Sequence, residues 1–156
     1  MDLVFKPEGW WGRRFRVQLA HGPAVGRIDL GAWRTRAEVV LPTGTCVIRK
    51  DPDGALVLYR EGRPEAQAVQ RSALRPRFDV EWPGGKGTLA QRSSWGHTFV
   101  LDADGTEIAS LKRSGWTGRV QAHFPSDWPL ERALFVAAVA LGTWESQDAA
   151  AVVATG

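Results

Sequence analysis

The chain has 156 residues, of which 44% are hydrophobic and 24% are charged, and this composition excludes a disordered or fibrous protein and indicates one globular domain. Its 20 basic and 17 acidic residues give a net charge of +3, which is too small a positive charge to favour nucleic-acid binding. Cys46 is the only cysteine, so an intrachain disulfide is excluded and we expect a soluble protein of the reducing cytoplasm.

A repeat of about 21 residues organises most of the chain. Large apolar residues recur at this spacing or at twice it, and we interpret their positions as corners between strands. They are Trp11, Trp33, Leu74, Trp95 and Trp116. Because the Trp residues share one repeat position, we expect them to pack in corners or in the core rather than to bind anything.

Four of these corners are followed by the same pattern, in which an Arg begins a short alternation of apolar and polar residues. Alternation with a period of two predicts a strand with one buried and one solvated face. The inward side chains should include Phe15, Val17, Phe78, Val80 and Phe124. With the return segments between short turns, we predict strands at 2–6, 14–19, 24–30, 36–41, 45–50, 55–60, 65–71, 77–82, 86–92, 97–102, 107–113 and 119–124.

The segment 129–144 breaks the alternation and predicts a helix. Pro129 suits a first helical turn, and Glu131 lies favourably near the positive end of the helix dipole. From Ala133 onward the segment is apolar on every side, which predicts burial on every side. Its longest apolar run, 133–142, is about half the roughly 20 residues that a membrane-spanning helix needs.

These elements together predict a mainly β fold, a closed antiparallel barrel of about twelve strands around a central apolar C-terminal helix at about 129–144. A barrel of that size leaves an interior that needs filling, and the helix fills it. We expect one domain over 1–145, followed by a disordered tail at 146–156 that carries mostly small residues.

In this layout the chain resembles the tubby C-terminal-like superfamily, which includes the LURP-one-related proteins and the phospholipid scramblases. The resemblance rests on the hairpin series that ends in the apolar helix 129–144, and on the turn within 101–108 that leads into Lys112-Arg113 and Gly115-Trp116. It implies a barrel of twelve strands around a central helix, and an anionic ligand such as the phosphoinositide headgroups that the tubby branch binds. The Cys-rich palmitoylated segment of the scramblase branch has no counterpart in a chain with one cysteine.

Two sets of basic residues are candidates for an anion site. Arg14, Arg36, Arg77 and Arg119 recur with the repeat, so we expect them to serve each hairpin alike by stacking on Trp or capping turn carbonyls. The remaining set fits no repeat and is the predicted ligand-binding set, with a solvated basic face as its alternative. It consists of Lys6, Arg13, Arg16, Arg34, Lys112 and Arg113. Trp10 and Trp11 lie beside Arg13, where packing is favoured over insertion into a membrane interface.

No segment carries a signature of catalysis, a metal site or a cofactor. Nucleophile elbows and phosphate-binding glycine loops are missing from the sequence. His21, His97 and His123 fall in separate turns and strands without a close acidic or cysteine partner at metal spacing. The segment 102–105 is a hairpin turn rather than a calcium loop. We therefore expect a protein that is not an enzyme.

Two hypotheses about function follow. The first is a non-catalytic binding module for an anionic ligand, such as phospholipid headgroups at the cytoplasmic membrane surface, because the basic excess lies early in the chain. The second is a structural or protein-interaction scaffold that docks an apolar edge on an unknown protein partner. Nucleic-acid binding is disfavoured, since the aromatic residues that could stack on bases fall at corners.

Overall fold

The computed structural model describes residues 1–9, 13–31, 36–72, 74–92 and 96–155, without the side chains of 154 and 155. Twelve antiparallel strands form a closed barrel in which neighbours in the chain are neighbours in the sheet, and β12 pairs with β1 to close it. The strands are β1 Asp2–Glu8, β2 Arg14–Leu19, β3 Ala24–Asp29, β4 Arg36–Leu41, β5 Gly44–Lys50, β6 Leu56–Arg60, β7 Arg63–Ser72, β8 Arg77–Trp82, β9 Gly85–Gln91, β10 Thr98–Ala103, β11 Thr106–Arg113 and β12 Val120–His123. The predicted barrel is confirmed.

The alternating pattern of the strands decides which face lines the barrel interior. All five side chains that were predicted to face inward are buried. The residues between them on β2, Arg14 and Arg16, are exposed. Because most strands are apolar on one face and polar on the other, closing the sheet buries the apolar faces together, and the pairing of β12 with β1 completes the ring.

Helix α1, Leu130–Thr155, fills the barrel. Residues 133–144 are buried, and those from Ala133 to Ala140 have no exposed surface, as predicted for a helix that is apolar all round. The helix does not end at 144 as predicted. It continues through 146–155, which the sequence analysis assigned to a disordered tail, because helix-forming Ala residues extend it and because Gln147 bonds with Gln91 and Asp148 with Arg113.

A glycine on β3 lets the neighbouring strand β4 approach closely. A Cβ atom on Gly26 would lie 2.6 Å from the carbonyl oxygen of Val40 and 3.5 Å from Cδ1 of Leu134. The first distance is too short for any side chain, so only glycine fits beside β4 at this position, whereas the distance to Leu134 is an ordinary contact. Within the described ranges, no helix has the length and hydropathy needed to span a membrane.

The two ends of the barrel differ in their connections. Because the strands alternate in direction, every second connection lies at the same end. We call the end with the connections 9–13, 30–35, 51–55, 73–76, 92–97 and 114–119 the corner end. The opposite end, with 20–23, 42–43, 61–62, 83–84, 104–105 and the link 124–129, is the hairpin end. One sequence repeat is two strands, so all the repeat corners fall at the corner end.

Helix α1 enters at the hairpin end and leaves at the corner end. At its start, Trp128 packs 5.1 Å from Trp82 and 6.0 Å from Phe124, and the guanidinium of Arg132 lies over Trp128. This aromatic group covers the hairpin end of the core. At the other end the Nε1–H of Trp144 donates to the carbonyl oxygen of Gly96, which is where the helix passes out of the barrel.

Candidate functional site

Two large apolar side chains are almost fully exposed at the corner end. Trp116 is 98% exposed and Leu74 is 97% exposed. The prediction that the Trp repeat positions pack in corners or the core is therefore wrong for Trp116. Its connection closes on itself, since the N–H of Ser114 donates to the carbonyl oxygen of Arg119, and this leaves Trp116 at the tip beyond the last paired residues.

Four further Trp residues occur in the sequence of the connections at the corner end. They are Trp10, Trp11, Trp33 and Trp95, and all four lie outside the described residues. The predictions that Trp33 and Trp95 pack in corners or the core, and that Trp10 and Trp11 pack and do not insert into a membrane, are consequently untested. Of the remaining Trp residues, Trp82 and Trp128 belong to the hairpin end and Trp144 lies in the core.

Charge is distributed unevenly between the two ends of the barrel. Among the described connections and the strand residues that border them, basic residues outnumber acidic ones at the corner end and acidic ones outnumber basic ones at the hairpin end. The corner end carries Arg13, Arg14, Arg36, Lys50, Arg75, Arg77, Arg92, Arg113 and Arg119 against Glu8, Asp29, Asp51 and Asp53. The hairpin end carries Arg60 and Arg63 against Asp2, Glu61, Asp104 and Asp127. The emerging helix adds Glu145 and Asp148 to the corner end, which still has nine basic residues against six acidic ones and is therefore the basic end of the barrel.

A groove opens beside the helix where it leaves the barrel. This helix-exit groove has a volume of about 630 Å³ and runs between the helix and the wall formed by β1, β2 and the connection 114–119. Its apolar lining comes from Phe15, Leu141, Trp144 and Val152. A volume of this size is in the range of small-molecule sites, which are mostly apolar with a few polar groups.

The charged lining of the groove consists of two ion pairs between the wall and the helix. Arg13 Nε lies 3.1 Å from an oxygen of Glu145, and Arg113 Nη1 lies 2.8 Å from an oxygen of Asp148. The two cations differ in how firmly they are held. Arg113 is only 18% exposed and lies over the ring of Trp144 at 5.1 Å, whereas Arg13 is exposed. Both acids were missed by the sequence analysis, which placed them in or beside a tail, although their spacing of three residues continues the helical pattern.

Each of these ion pairs contains one buried polar atom that is not satisfied in the described part of the chain. Arg113 Nε and Glu145 Oε2 are both buried without a hydrogen-bond partner. Burial raises the pKa of the Glu145 carboxyl, and the attraction of Arg13 offsets this only in part. The negative charge of Glu145 is therefore less stable in the folded protein than in water.

Replacing Glu145→Gln should raise the melting temperature near neutral pH, by up to about 3 °C for a chain of this size. A carboxyl with a raised pKa binds its proton more tightly in the folded state, so its charge costs stability above that pKa. The cost disappears as the pH falls towards 4.5, the usual value for Glu. The difference in melting temperature between the two proteins should therefore shrink on acidification, which thermal unfolding at several pH values would measure.

Glu131→Gln is the matched control for this prediction. Glu131 also pairs with an arginine, since its Oε1 lies 2.9 Å from Nη1 of Arg60 at the hairpin end. Its replacement should leave the melting temperature unchanged or lower it. An equal fall for both variants near neutral pH would contradict the expected cost of the Glu145 charge.

The predicted ligand-binding set divides between this groove and the outer wall. Arg13 and Arg113 line the groove. Lys6 lies directly opposite Arg16 on β1 and β2, and Arg16 lies opposite Arg27 on β3, so three cations adjoin on the outer face. Arg16 also pairs with Glu8 at 3.1 Å.

The two remaining members of the set are not part of the groove. Lys112 is exposed on β11, opposite Gln121 of β12. Arg34 lies outside the described residues, so its prediction is untested. The structure thus brings two of the six residues together in the groove and leaves Lys6 and Arg16 on the outer face of the barrel. Lys112 lines a separate depression of about 430 Å³.

Two of the four repeated arginines, Arg14 and Arg36, have partners in the barrel wall. Arg14 Nε lies 3.3 Å from a carboxylate oxygen of Asp29, its neighbour on β3, and Arg36 pairs with Glu38 at 3.3 Å. We predicted that the repeated arginines stack on Trp rings or cap turn carbonyls of the hairpins. The partners of Arg14 and Arg36 are carboxylates instead.

The histidines and acids do not form a metal site in the part of the chain that the structure describes. Within those residues no three His, Cys, Asp or Glu side chains are grouped to hold a metal ion. His123 is exposed, and its Nδ1 lies 2.7 Å from a carboxylate oxygen of Asp2. This hydrogen bond lowers the pKa of Asp2.

No protein-family model, curated protein or solved structure matches the chain. The resemblance to the tubby C-terminal-like superfamily therefore stays a prediction.

Proposed function

We propose that the protein is a non-catalytic binding module that docks its corner end on an anionic lipid surface. The observation that carries this proposal is the coincidence of exposed Leu74 and Trp116 with the basic end of the barrel. Anionic headgroups attract basic residues near a membrane surface, and Trp is enriched at the boundary between headgroups and acyl chains. A tubby-like ancestry would agree with an anionic lipid ligand and is part of the proposal.

The charge distribution also favours one orientation. The acidic hairpin end would be repelled by an anionic surface, while the basic corner end would be attracted to it. Each basic residue near such a surface contributes about 1 kcal/mol, so several of the exposed arginines act together. The apolar side chains then add an attraction that salt does not screen, since burial of apolar surface does not depend on charge.

Sedimentation with lipid vesicles tests the proposal. The protein should bind vesicles of phosphatidylcholine that contain phosphatidylserine and should bind pure phosphatidylcholine vesicles much less at low salt. The double variant Leu74→Ser, Trp116→Ser should lose at least about tenfold in affinity for the anionic vesicles, because the apolar surface of these two side chains is no longer transferred from water into the membrane. Leu19→Ser is its matched control, since Leu19 is an exposed leucine at the hairpin end and its loss should not matter.

A second pair of variants separates charge from apolar contact. Arg75→Gln with Arg77→Gln removes two exposed cations at the corner end and should weaken binding about tenfold or more, at about 1 kcal/mol for each cation. Arg63→Gln with Lys86→Gln removes two exposed cations near the hairpin end and should have little effect. Equal binding to anionic and neutral vesicles, or equal loss from both pairs, would overturn the proposal and favour the protein-interaction scaffold.

A further inference from the structure

The helix-exit groove has features that the docking of a flat lipid surface does not use. It is a concavity of about 630 Å³ with an apolar floor, and it opens at the corner end beside the helix. A bilayer surface cannot enter it, whereas a single extended molecule can. The apolar floor, made by Phe15, Leu141 and Trp144, suits a hydrocarbon chain, and the rim carries Arg13 and Arg113.

Arg113 is the cation best placed to hold an anionic headgroup. Its guanidinium is largely buried and fixed against Trp144 at 5.1 Å, so binding a ligand orders no further side chain there. Among the described residues its Nε is buried without a hydrogen-bond partner, so the Nη groups that now contact Asp148 are the donors that an anion in the groove can reach. A guanidinium binds phosphate or carboxylate oxygens through several N–H groups at once.

The present partner of Arg113 can be displaced. Asp148 is 63% exposed, and an ion pair with such an exposed member contributes little to stability. The carboxylate can turn towards water without leaving a buried charge. An incoming anion would therefore replace the Asp148 carboxylate on Arg113 at small cost, because the displaced carboxylate is hydrated.

We propose that the helix-exit groove binds one anionic single-chain amphiphile, with its headgroup on Arg113 in place of Asp148 and its chain along Phe15, Leu141 and Trp144. The ligand class is a phosphate- or carboxylate-headed lipid with one acyl or alkyl chain. This inference rests on the proposed function only in that the same end of the barrel faces the lipid. It concerns a site for one molecule, which is separate from the exposed side chains that contact the surface.

Calorimetric titration with dodecyl phosphate below its micelle concentration tests this site in the full-length protein. Dodecyl phosphate should bind at one site, at least about tenfold more tightly than dodecyl maltoside, which has the same chain and a neutral head. Inorganic phosphate should not bind measurably, because it lacks the chain. Equal affinity for the two amphiphiles, or binding of inorganic phosphate as tight as that of dodecyl phosphate, would overturn the proposal.

Two variants place the ligand in the groove. Ala149→Phe puts a ring into the lining and should abolish binding of dodecyl phosphate, whereas Ala150→Phe adds the same ring at an exposed position outside the lining and should not. Asp148→Asn removes the competing carboxylate and should tighten binding severalfold. Its control is Asp79→Asn, which breaks the exposed ion pair with Arg71 on the outer wall and should leave the affinity for dodecyl phosphate unchanged. Failure of Ala149→Phe to reduce binding, or of Asp148→Asn to increase it, would contradict the assignment.

These results are distinguishable from failure of the proposed function. Ala149→Phe should still sediment with anionic vesicles as Ala150→Phe does, since Leu74 and Trp116 remain. If dodecyl phosphate binds while vesicles do not, the groove is confirmed and surface docking is wrong. If vesicles bind while dodecyl phosphate does not, surface docking is supported and the groove proposal is wrong.

Discussion

A chain that ends at residue 129, before helix α1, should fail to form a cooperatively folded barrel. The helix contributes fully buried side chains to the interior, among them Leu134, Phe135, Val136, Val139 and Leu141. Burying each such side chain stabilises a protein by about 1.5–3 kcal/mol, so these together contribute on the order of 10 kcal/mol. The net stability of a whole domain is about 5–15 kcal/mol, so the strands alone cannot remain folded around an empty interior.

Circular dichroism and urea unfolding would measure this result. The shortened chain should show no cooperative transition and should expose apolar surface that causes aggregation. A chain that ends at residue 149 is the control, because it keeps the buried part of the helix and the ion pairs of Glu145 and Asp148. It should unfold cooperatively near the midpoint of the full chain. A stable, cooperative barrel without the helix would show that the two are independent.

The second large effect is expected at the centre of the helix. Phe135→Ala should lower the free energy of unfolding by about 3–5 kcal/mol, because it removes a fully buried ring and leaves a cavity that close-packed strands cannot fill. For a chain of this length the melting temperature should fall by about 10 °C or more.

The matched control lies on the same helix. Val153 is exposed near the C-terminal end, and Val153→Ala should change the free energy of unfolding by no more than about 0.5 kcal/mol. Urea denaturation of the unsubstituted protein and the two variants would compare their unfolding midpoints, provided that the dependence of the free energy on urea concentration is the same for all three. Similar losses at both positions would mean that the helix is not enclosed, which would contradict the central place of Phe135.

Local patterning was sufficient to predict most of the architecture. The alternation of apolar and polar residues in segments such as 77–82 predicts a strand with a single buried face. A helix that is apolar on every side keeps its surface out of water only inside the protein. The end of the helix was misjudged because the small residues after Trp144 are compatible with either helix or tail. Contacts of Gln147 and Asp148 with distant strands favour the helix there.

The candidate sites were less predictable, because they depend on residues that are far apart in the chain. Arg13 and Glu145 are separated by 132 positions, and Arg113 and Asp148 by 35. Because Trp116 recurs with the other corner residues, we predicted that it packs as they do. Recurrence shows only that the corners occupy equivalent positions in the repeat. Whether an equivalent corner points into the core or into water depends on the shape of each connection.

What the sequence by itself determined is the number of strands, the face that each strand buries and the enclosure of the helix, because each of these follows from the period of apolar residues along a short segment. What only the tertiary structure decided is the polarity of the barrel. Closing the ring with alternating strand directions places every second connection at the corner end. Because the helix enters at the hairpin end, Glu145 and Asp148 in its later part also lie at the corner end. Exposed Trp116, the basic excess and the helix-exit groove meet there, since chain direction and not local pattern places them.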